Sequence, residues 1–458
     1  MAVPITSSCD YLAVLPSRVG PLASAPISPP LDLSKHTHTH RSPRCPVPLF
    51  SAVSRIDLFL LSLSLSLSFH AQALPSWTQT QAILPCPFLF SLTEACFRSG
   101  GRRTGAGFIG RNLVVYLVEN NLADVIRVVD KAILQTAYLT ARQQAAFEKV
   151  DFQQGNLTRD ATIQKAFARD GGAFDFVFNC AGLTTYGQAP EVYQESVFDL
   201  SVKCARAAAQ SGCRRFIELS TAQVYAADKK ASAEDGKVKP WTALAEKKLA
   251  VENELKAIDG LDYCIVRPAN VYGVSDRQGL MPRLITAAVY KKLGETMKFL
   301  WSDKLCINTV HVSDVAAALW TIAERGVKGE VYNLADKANS TQGSVADLLA
   351  QLFGIEVGFV GSTLSNMARL NMSAVVETSN EKHMEPWSRM CVDADIGNTP
   401  LTPYLDKELL YNNSLAVDGS KIEALGFEYK HPAPTLDLLR DAVEAEIELK
   451  NFPTGYLV

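Results

Sequence analysis

The chain has no excess of either charge. Its 45 Lys and Arg stand against 48 Asp and Glu, a net charge of −3 over 458 residues. That balance offers no basic surface for nucleic acid and no acidic run of the kind that solvates a disordered tail. Metal-ligand spacing is absent as well. The ten cysteines (Cys9, Cys45, Cys86, Cys96, Cys180, Cys204, Cys213, Cys264, Cys306 and Cys391) form no CxxC and no Cys/His cluster. They read as free thiols in a reducing compartment, so the expectation is a cytoplasmic protein with no metal. A membrane span is lacking too. The run "LFLLSLSLSLSFHAQA", 58–73, has the A-x-A-like end of a signal peptide, but it begins more than fifty residues in and is short for a bilayer. No membrane partner is expected.

Composition changes near position 103. Residues 1–103 carry only 8 Lys/Arg and 4 Asp/Glu, yet hold 12 of the 22 prolines. They also contain two alternating tracts, "HTHTH" at 36–40 and "LSLSLSLS" at 61–68. Translated simple-sequence DNA has this form, and no folding reason accounts for it. Residues 1–103 are therefore expected to be a low-complexity, disordered leader derived from untranslated or intronic sequence. His36, His38 and His40 have no acidic or cysteine neighbour to complete a metal site.

From 104 onward, short apolar runs alternate with helical patterns. The strands expected are "VIRVVD" (125–130), "VDFQQGN" (150–156), "FDFVFNCAG" (174–182), "RRFIELS" (214–220) and "DYCIVRP" (262–268). Helices are expected at 108–120, at 191–212 closed by Gly212, and at 241–258. Near-continuous apolar strands alternating with helices imply right-handed crossovers and a doubly wound parallel sheet of α/β class, covered on both faces. Beyond about 270 the pattern is mixed. Strands are expected at "MKFLWS", "INTVHV", "EVYNLA" and "EVGFV", with helices at 313–326, 342–353 and 435–449. Residues 362–412 are rich in Met, Asn and Thr and give no clear period. The expected organisation is a Rossmann-type domain over 104–275 and a smaller substrate lobe over 276–458, with some segments returning to the main sheet.

Gly105, Gly107 and Gly110 open the first helix, and Asp130 ends the next strand twenty residues later. Glycines there let the backbone approach a pyrophosphate at the helix N-terminus, and the acid can take the ribose hydroxyls of NAD. A carboxylate repels a 2′-phosphate, which favours NAD. Lys131 directly after it keeps NADP open. Upstream, "ACFRSGGRR" supplies polar, doubly basic sequence where an apolar strand should feed the loop. The central strand is thus expected to be missing or degraded, with poor stability and weak NAD binding as the result.

Several further segments are informative together: "NCAG" (179–182), "STAQVY" (220–225), "RPANVYG" (267–273), "VHVSDVA" (310–316), "VYNLAD" (331–336) and "GSKIEALGFEY" (419–429). With the glycine loop, they resemble the extended short-chain dehydrogenase/reductase family. That family includes nucleotide-sugar epimerases/dehydratases and 3β-hydroxysteroid dehydrogenase-like enzymes. The resemblance spans roughly 104–450, with Thr104 standing where the family has its first glycine. It implies cofactor contacts from Gly105, Gly107, Phe108, Ile109, Gly110, Asp130, Asn156, Leu157, Cys180, Ala181, Gly182, Lys248 and Pro268. It implies that Thr221, Gln223, Asn270 and Tyr272 line the substrate, and that His311 is structural.

The family's chemistry is hydride transfer assisted by a Tyr-x-x-x-Lys pair and a Ser or Thr. Thr221 falls on the hydroxyl position and Lys248 on the lysine. Leu244 falls on the tyrosine, and leucine moves no proton. General acid/base help is typically worth about 10²–10⁴-fold. Tyr186, Tyr193 and Tyr225 lie in segments that border the cleft in this family. The resemblance therefore implies an NAD(P)-dependent oxidoreductase, epimerase or dehydratase. Its substrate would be a hydroxyl or keto group of a sugar-like or sterol-like small molecule. The alternative is a cofactor-binding pseudoenzyme with a regulatory role. A homodimer is common among relatives.

Overall fold

The computed structural model describes the strand Pro87–Ser91, residues 107–170 and residues 172–458. The tracts at 36–40 and 58–73 lie outside the described residues, as does the rest of the expected leader apart from that strand.

The strands of the first half are β1 (Pro87–Ser91), β2 (Val125–Asp130), β3 (Asp151–Gln154), β4 (Phe176–Asn179), β5 (Arg215–Leu219) and β6 (Tyr263–Pro268). The helices between them are α1 (Phe108–Glu119), α2 (Ala141–Phe147), α3 (Asp160–Phe167), α4 (Pro190–Tyr193), α5 (Leu200–Ser211) and α6 (Ala243–Leu255). Gln194–Asp199 is a π-helical stretch that joins α4 to α5, and Gly212 ends α5 at φ +74°. The second half adds β7 (Asn270–Tyr272), α7 (Met281–Leu293), β8 (Met297–Phe299), β9 (Thr309–His311), α8 (Val312–Arg325), β10 (Val331–Leu334), α9 (Gln342–Phe353) and β11 (Val357–Phe359). It closes with α10 (Ser362–Leu370), α11 (Met372–Asp393) and α12 (Leu436–Glu448).

Seven strands form one parallel sheet in the order β10-β6-β5-β4-β1-β2-β3. The order reverses beside β1, and in open α/β sheets such a switch point opens a ligand crevice at the carboxyl ends of the strands. The expectation of a missing central strand is corrected here. Pro87–Ser91 fills that place. Phe88 to Ser91 register with Phe176 to Asn179 on one side, and Pro87 to Ser91 with Val125 to Val129 on the other. The strand lies earlier in the chain than the glycine loop predicts. The strand falls within the span read as leader.

Each face of the sheet is covered. One core joins Leu113, Val114 and Leu117 of α1 to Val128, Phe178, Val266 and the Leu319 face of α8. The other joins Val177, Phe216 and Ile265 to Ala205 and Ala208 of α5 and to Val251 and Leu255 of α6. This two-sided burial is what near-continuous apolar strands require. β3 is a half-exposed edge. β10 returns from the second half to pair with β6.

The smaller lobe has its own core, in which α7, α9, α11 and α12 pack through Leu284, Leu349, Met390 and Leu439. The segment 362–412, unreadable by period, is mostly the two helices α10 and α11. Pro386 lies inside α11, and Trp387 beside it is buried.

A chain that starts at Thr80 retains β1 and is expected to unfold cooperatively by heat, followed by circular dichroism. A chain that starts at Ala95 lacks the central strand and is expected to show no cooperative transition. Leu89→Pro in the full chain should behave like the shorter one, because proline removes a ladder donor from a strand paired on both sides.

Candidate active site

The carboxyl ends of β4 and β5, the turn after β5 and one face of α6 converge. Glu218 near the end of β5 is fully buried. Its carboxylate accepts hydrogen bonds from Asn179 Nδ2 at 2.6 Å, Ser201 Oγ at 3.1 Å and Lys248 Nζ at 3.1 Å. Lys248 also donates to the Leu219 carbonyl at 2.7 Å and is only 8% exposed. It is not a solvated surface lysine. Burial pushes the Glu218 carboxyl upward, against the pull of Lys248 and the three hydrogen bonds. A charge buried this way needs its partner, so the pair locks the register of α6 over the sheet.

A second buried pair lies one turn along α6. Arg267 of β6 donates from Nε to Glu252 Oε1 at 3.0 Å and from Nη2 to Glu252 Oε2 at 2.5 Å. Arg267 Nη1 also donates to the Tyr225 hydroxyl at 2.7 Å, and that hydroxyl donates to Asn333 Oδ1 at 2.7 Å. Tyr225 is thus fully engaged in structure, with its ring under the Arg267 guanidinium. Tyr193 is engaged too, donating to the Thr185 carbonyl at 2.9 Å.

Thr221 caps the short 3₁₀ turn Ala222–Val224 by accepting from Gln223 N at 3.2 Å. Gln223 bridges outward. Its Nε2 donates to the Tyr186 hydroxyl at 2.9 Å, and its Oε1 accepts from Thr242 Oγ1 at 2.9 Å. Leu244, in the first turn of α6, is buried in an apolar cluster with Leu183, Tyr193 and Val197, against which Tyr186 packs. Glu408 of the smaller lobe reaches in and accepts from Ala243 N at 3.1 Å. Burial raises its carboxyl, and Asp406 nearby raises it further.

The other expected residues take varied places. Asn270 begins β7 and pairs with Thr309. Tyr272 is fully buried with its ring edge-on to His311 at 5.2 Å between centroids. His311 holds Ser313 Oγ at 2.7 Å and caps α8, a structural position. Burial pulls the His311 ring down to about 4, and His431 adds to that. Asn156 Oδ1 accepts from Thr158 N at 3.1 Å, and Leu157 is core. Cys180 is half-buried, and desolvation pushes its thiol up to about 12. Ala181 is buried, and Pro268 ends β6. Gly105 lies outside the described residues.

A dinucleotide fits the residues at the switch point. α1 starts at Gly107 with no side-chain cap and no acid in its first turn, whereas Thr side chains cap α2, α6, α9 and α12. The amides of Phe108, Ile109 and Gly110 suit an anion there. Among the described residues no atom lies within 4 Å of where a Cβ on Gly107 would stand. Asp130 ends the adjacent strand with Oδ1 accepting from Ala132 N at 2.8 Å. Gly182 stands at φ +143°, a backbone conformation that favours glycine, beside Lys248 Nζ. Among the described residues no group of three or more His, Cys, Asp or Glu is arranged to hold a metal, and no helix is long and apolar enough to cross a membrane.

A family model described as the NAD dependent epimerase/dehydratase family matches residues 104–335. The chain belongs to that family. It is 27% identical over 265 residues to a 4-hydroxy-2-methyl-3-oxo-4-farnesyl-3,4-dihydroquinoline-1-oxide ketoreductase of Stigmatella aurantiaca, covering 56% of this chain and 73% of that protein. It is 23% identical over 345 residues to the dTDP-D-glucose 4,6-dehydratase of Bos taurus, covering 72% and 83%. Among solved structures, the fold is similar to a UDP-N-acetylglucosamine 4-epimerase from Methanobrevibacter ruminantium M1, with TM-score 0.56, 17% identity and coverage of 80% and 99%. It is also similar to the UDP-glucose 4-epimerase of Thermus thermophilus in its complex with NAD, with TM-score 0.54, 17% identity and coverage of 78% and 98%.

Glu218 and Glu252 were not foreseen as site residues. Glu218 is the one acid in a largely apolar strand, and a charge inside a buried strand signals a buried partner. Glu252 shares its helix with Glu246 and Glu254 and carries no such signal. Arg267→Met strands the Glu252 carboxylate, and the expected loss is about 3–5 kcal/mol, read from urea unfolding midpoints. Adding Glu252→Leu should recover a large part of it. A single-variant loss below about 0.5 kcal/mol, the range of ordinary surface changes, would show that the pair does not hold α6 in place.

Proposed function

We propose that the protein catalyses NAD-linked hydride transfer at a secondary alcohol or ketone of a sugar-like small molecule. The observation that carries this reading is the convergence of Thr221, Lys248 and Gly182 at the carboxyl ends of β4 and β5, beside the switch point. Bound NAD would accept or supply the hydride. The chain's own residues do the rest. Lys248 spends two of its three N–H donors on Glu218 and Leu219, which aims the ammonium and leaves the third for a cofactor hydroxyl. Thr221 keeps its hydroxyl proton for a substrate oxygen, because its oxygen accepts from Gln223 N and its proton has no acceptor among the described residues. The apolar wall of Leu183, Val197 and Leu244 keeps water from the reacting carbon. The names of the relatives support the class, since they include a ketoreductase and dehydratases or epimerases of nucleotide sugars. NAD over NADP rests on Asp130.

One observation favours a second reading. Leu244 occupies the position that the resemblance gives to a proton-carrying tyrosine, and its side chain is core. On that reading the protein binds cofactor without turnover.

NADH oxidation, measured against a panel of sugar-derived and simple ketones, separates the two. The enzyme reading expects turnover in the native chain and a fall of about 10²-fold or more in Thr221→Val. No turnover in the native chain, with activity gained in Leu244→Tyr, would identify a relic site.

A further inference from the structure

We propose that Tyr186 is the proton donor and acceptor of this site and that Gln223 is the residue that positions it. This inference rests on the function proposed above. It follows from the direction of three hydrogen bonds. Thr242 Oγ1 already accepts from Ala245 N at 3.1 Å, so its one proton goes to Gln223 Oε1. That bond fixes which end of the Gln223 amide points where. The NH₂ end faces Tyr186 and donates to its oxygen. Tyr186 therefore receives a hydrogen bond and still holds its own proton. No acceptor for that proton exists among the described residues.

Thr221 stands in the same condition. Its oxygen accepts from Gln223 N, and among the described residues its proton has no acceptor. Gln223 thus fills one lone pair on each of two hydroxyls, through its backbone on one and its side chain on the other. Two hydroxyl protons are left to converge on one ligand oxygen. Tyr193 and Tyr225 have committed theirs to Thr185 and Asn333. Tyr272, whose hydroxyl also has no partner among the described residues, is fully buried edge-on to His311. Tyr186 also packs against the Leu244 cluster, so its phenol borders the apolar wall where a tyrosine on α6 would otherwise stand.

The step balances. In the reducing direction the carbonyl carbon receives a hydride from NADH and the π pair of the C=O bond moves onto oxygen. That oxygen takes the Tyr186 proton. The phenolate left behind accepts the Gln223 N–H and is reprotonated from water. NADH is oxidised and the ketone is reduced. Burial holds the phenol protonated, up to about 12, with the Gln223 bond pulling the other way and Tyr193, Glu408 and Asp406 raising it further. An alkoxide is a much stronger base than a phenolate, so the transfer runs downhill.

The test compares native chain, Tyr186→Phe, Gln223→Met and Tyr186→Phe/Leu244→Tyr, on the full chain and with the ketone panel as probe. Tyr186→Phe should lower kcat by about 10²-fold or more at unchanged NADH affinity, and the double variant should regain at least tenfold. Gln223→Met should reduce kcat more than it raises KM and should move the alkaline limb of the pH profile upward. A second readout needs no turnover. With ¹³Cζ-labelled tyrosine, the resonance lost in Tyr186→Phe should titrate at higher pH in Gln223→Met and at lower pH when NAD⁺ is added, since a nearby cation favours the phenolate. Native turnover that survives Tyr186→Phe undiminished overturns the assignment. So does a Tyr186 resonance that ignores both Gln223→Met and NAD⁺. If the native chain turns over no ketone, the proposed function fails, and the titration still decides whether Tyr186 faces the cofactor space.

Discussion

The buried Lys248–Glu218 pair is the contact on which this site depends. One carboxylate gathers Asn179 from β4, Ser201 from α5 and Lys248 from α6. Four elements are tied to one point at the carboxyl end of the sheet. Such a pair is a poor source of net stability, because desolvating two charges offsets most of their attraction. Its effect is positional. With Glu218 buried, Lys248 has one place to be, and α6 presents Thr242 to the turn after β5 and Leu244 to the cluster of Leu183, Tyr193 and Val197. The Arg267–Glu252 pair repeats the device one turn further on and adds Tyr225 and Asn333.

That frame explains why the polar side chains above it behave as they do. Thr242 caps α6, which commits its oxygen to Ala245 N and its proton to Gln223. Gln223 is then oriented without any charge being spent. The smaller lobe contributes Glu408, whose carboxylate sits on the N-terminus of α6, where the helix dipole favours an anion. The segment that carries Glu408 lies far along the chain from α6, so the lobe's own packing helps to shape the crevice.

Much of this was legible in the sequence, and the failures have physical causes. β2, β4, β5 and β6 are central strands whose apolar runs are unambiguous, and Gly212 marked the end of α5 through its left-handed backbone. The glycine loop and Asp130 were read from spacing, and Thr221 and Lys248 from the resemblance alone. β1 was missed because the rule places the strand directly before the glycines, whereas "PFLFS" lies well upstream of them. α10 and α11 were missed because α10 is largely exposed and Pro386 interrupts the helical pattern of α11. Tyr186 could not be singled out by period or motif. Its distinction is the direction of a hydrogen bond, which depends on Gln223 and Thr242 arriving from elsewhere in the chain.

The described residues at the switch point beside β1 suit a dinucleotide. Titration of the full chain with NADH, followed by nicotinamide fluorescence and repeated by calorimetry, tests that fit most directly. Saturable binding of one equivalent per chain at micromolar concentrations is expected. A titration that shows no saturation with properly folded protein would contradict it.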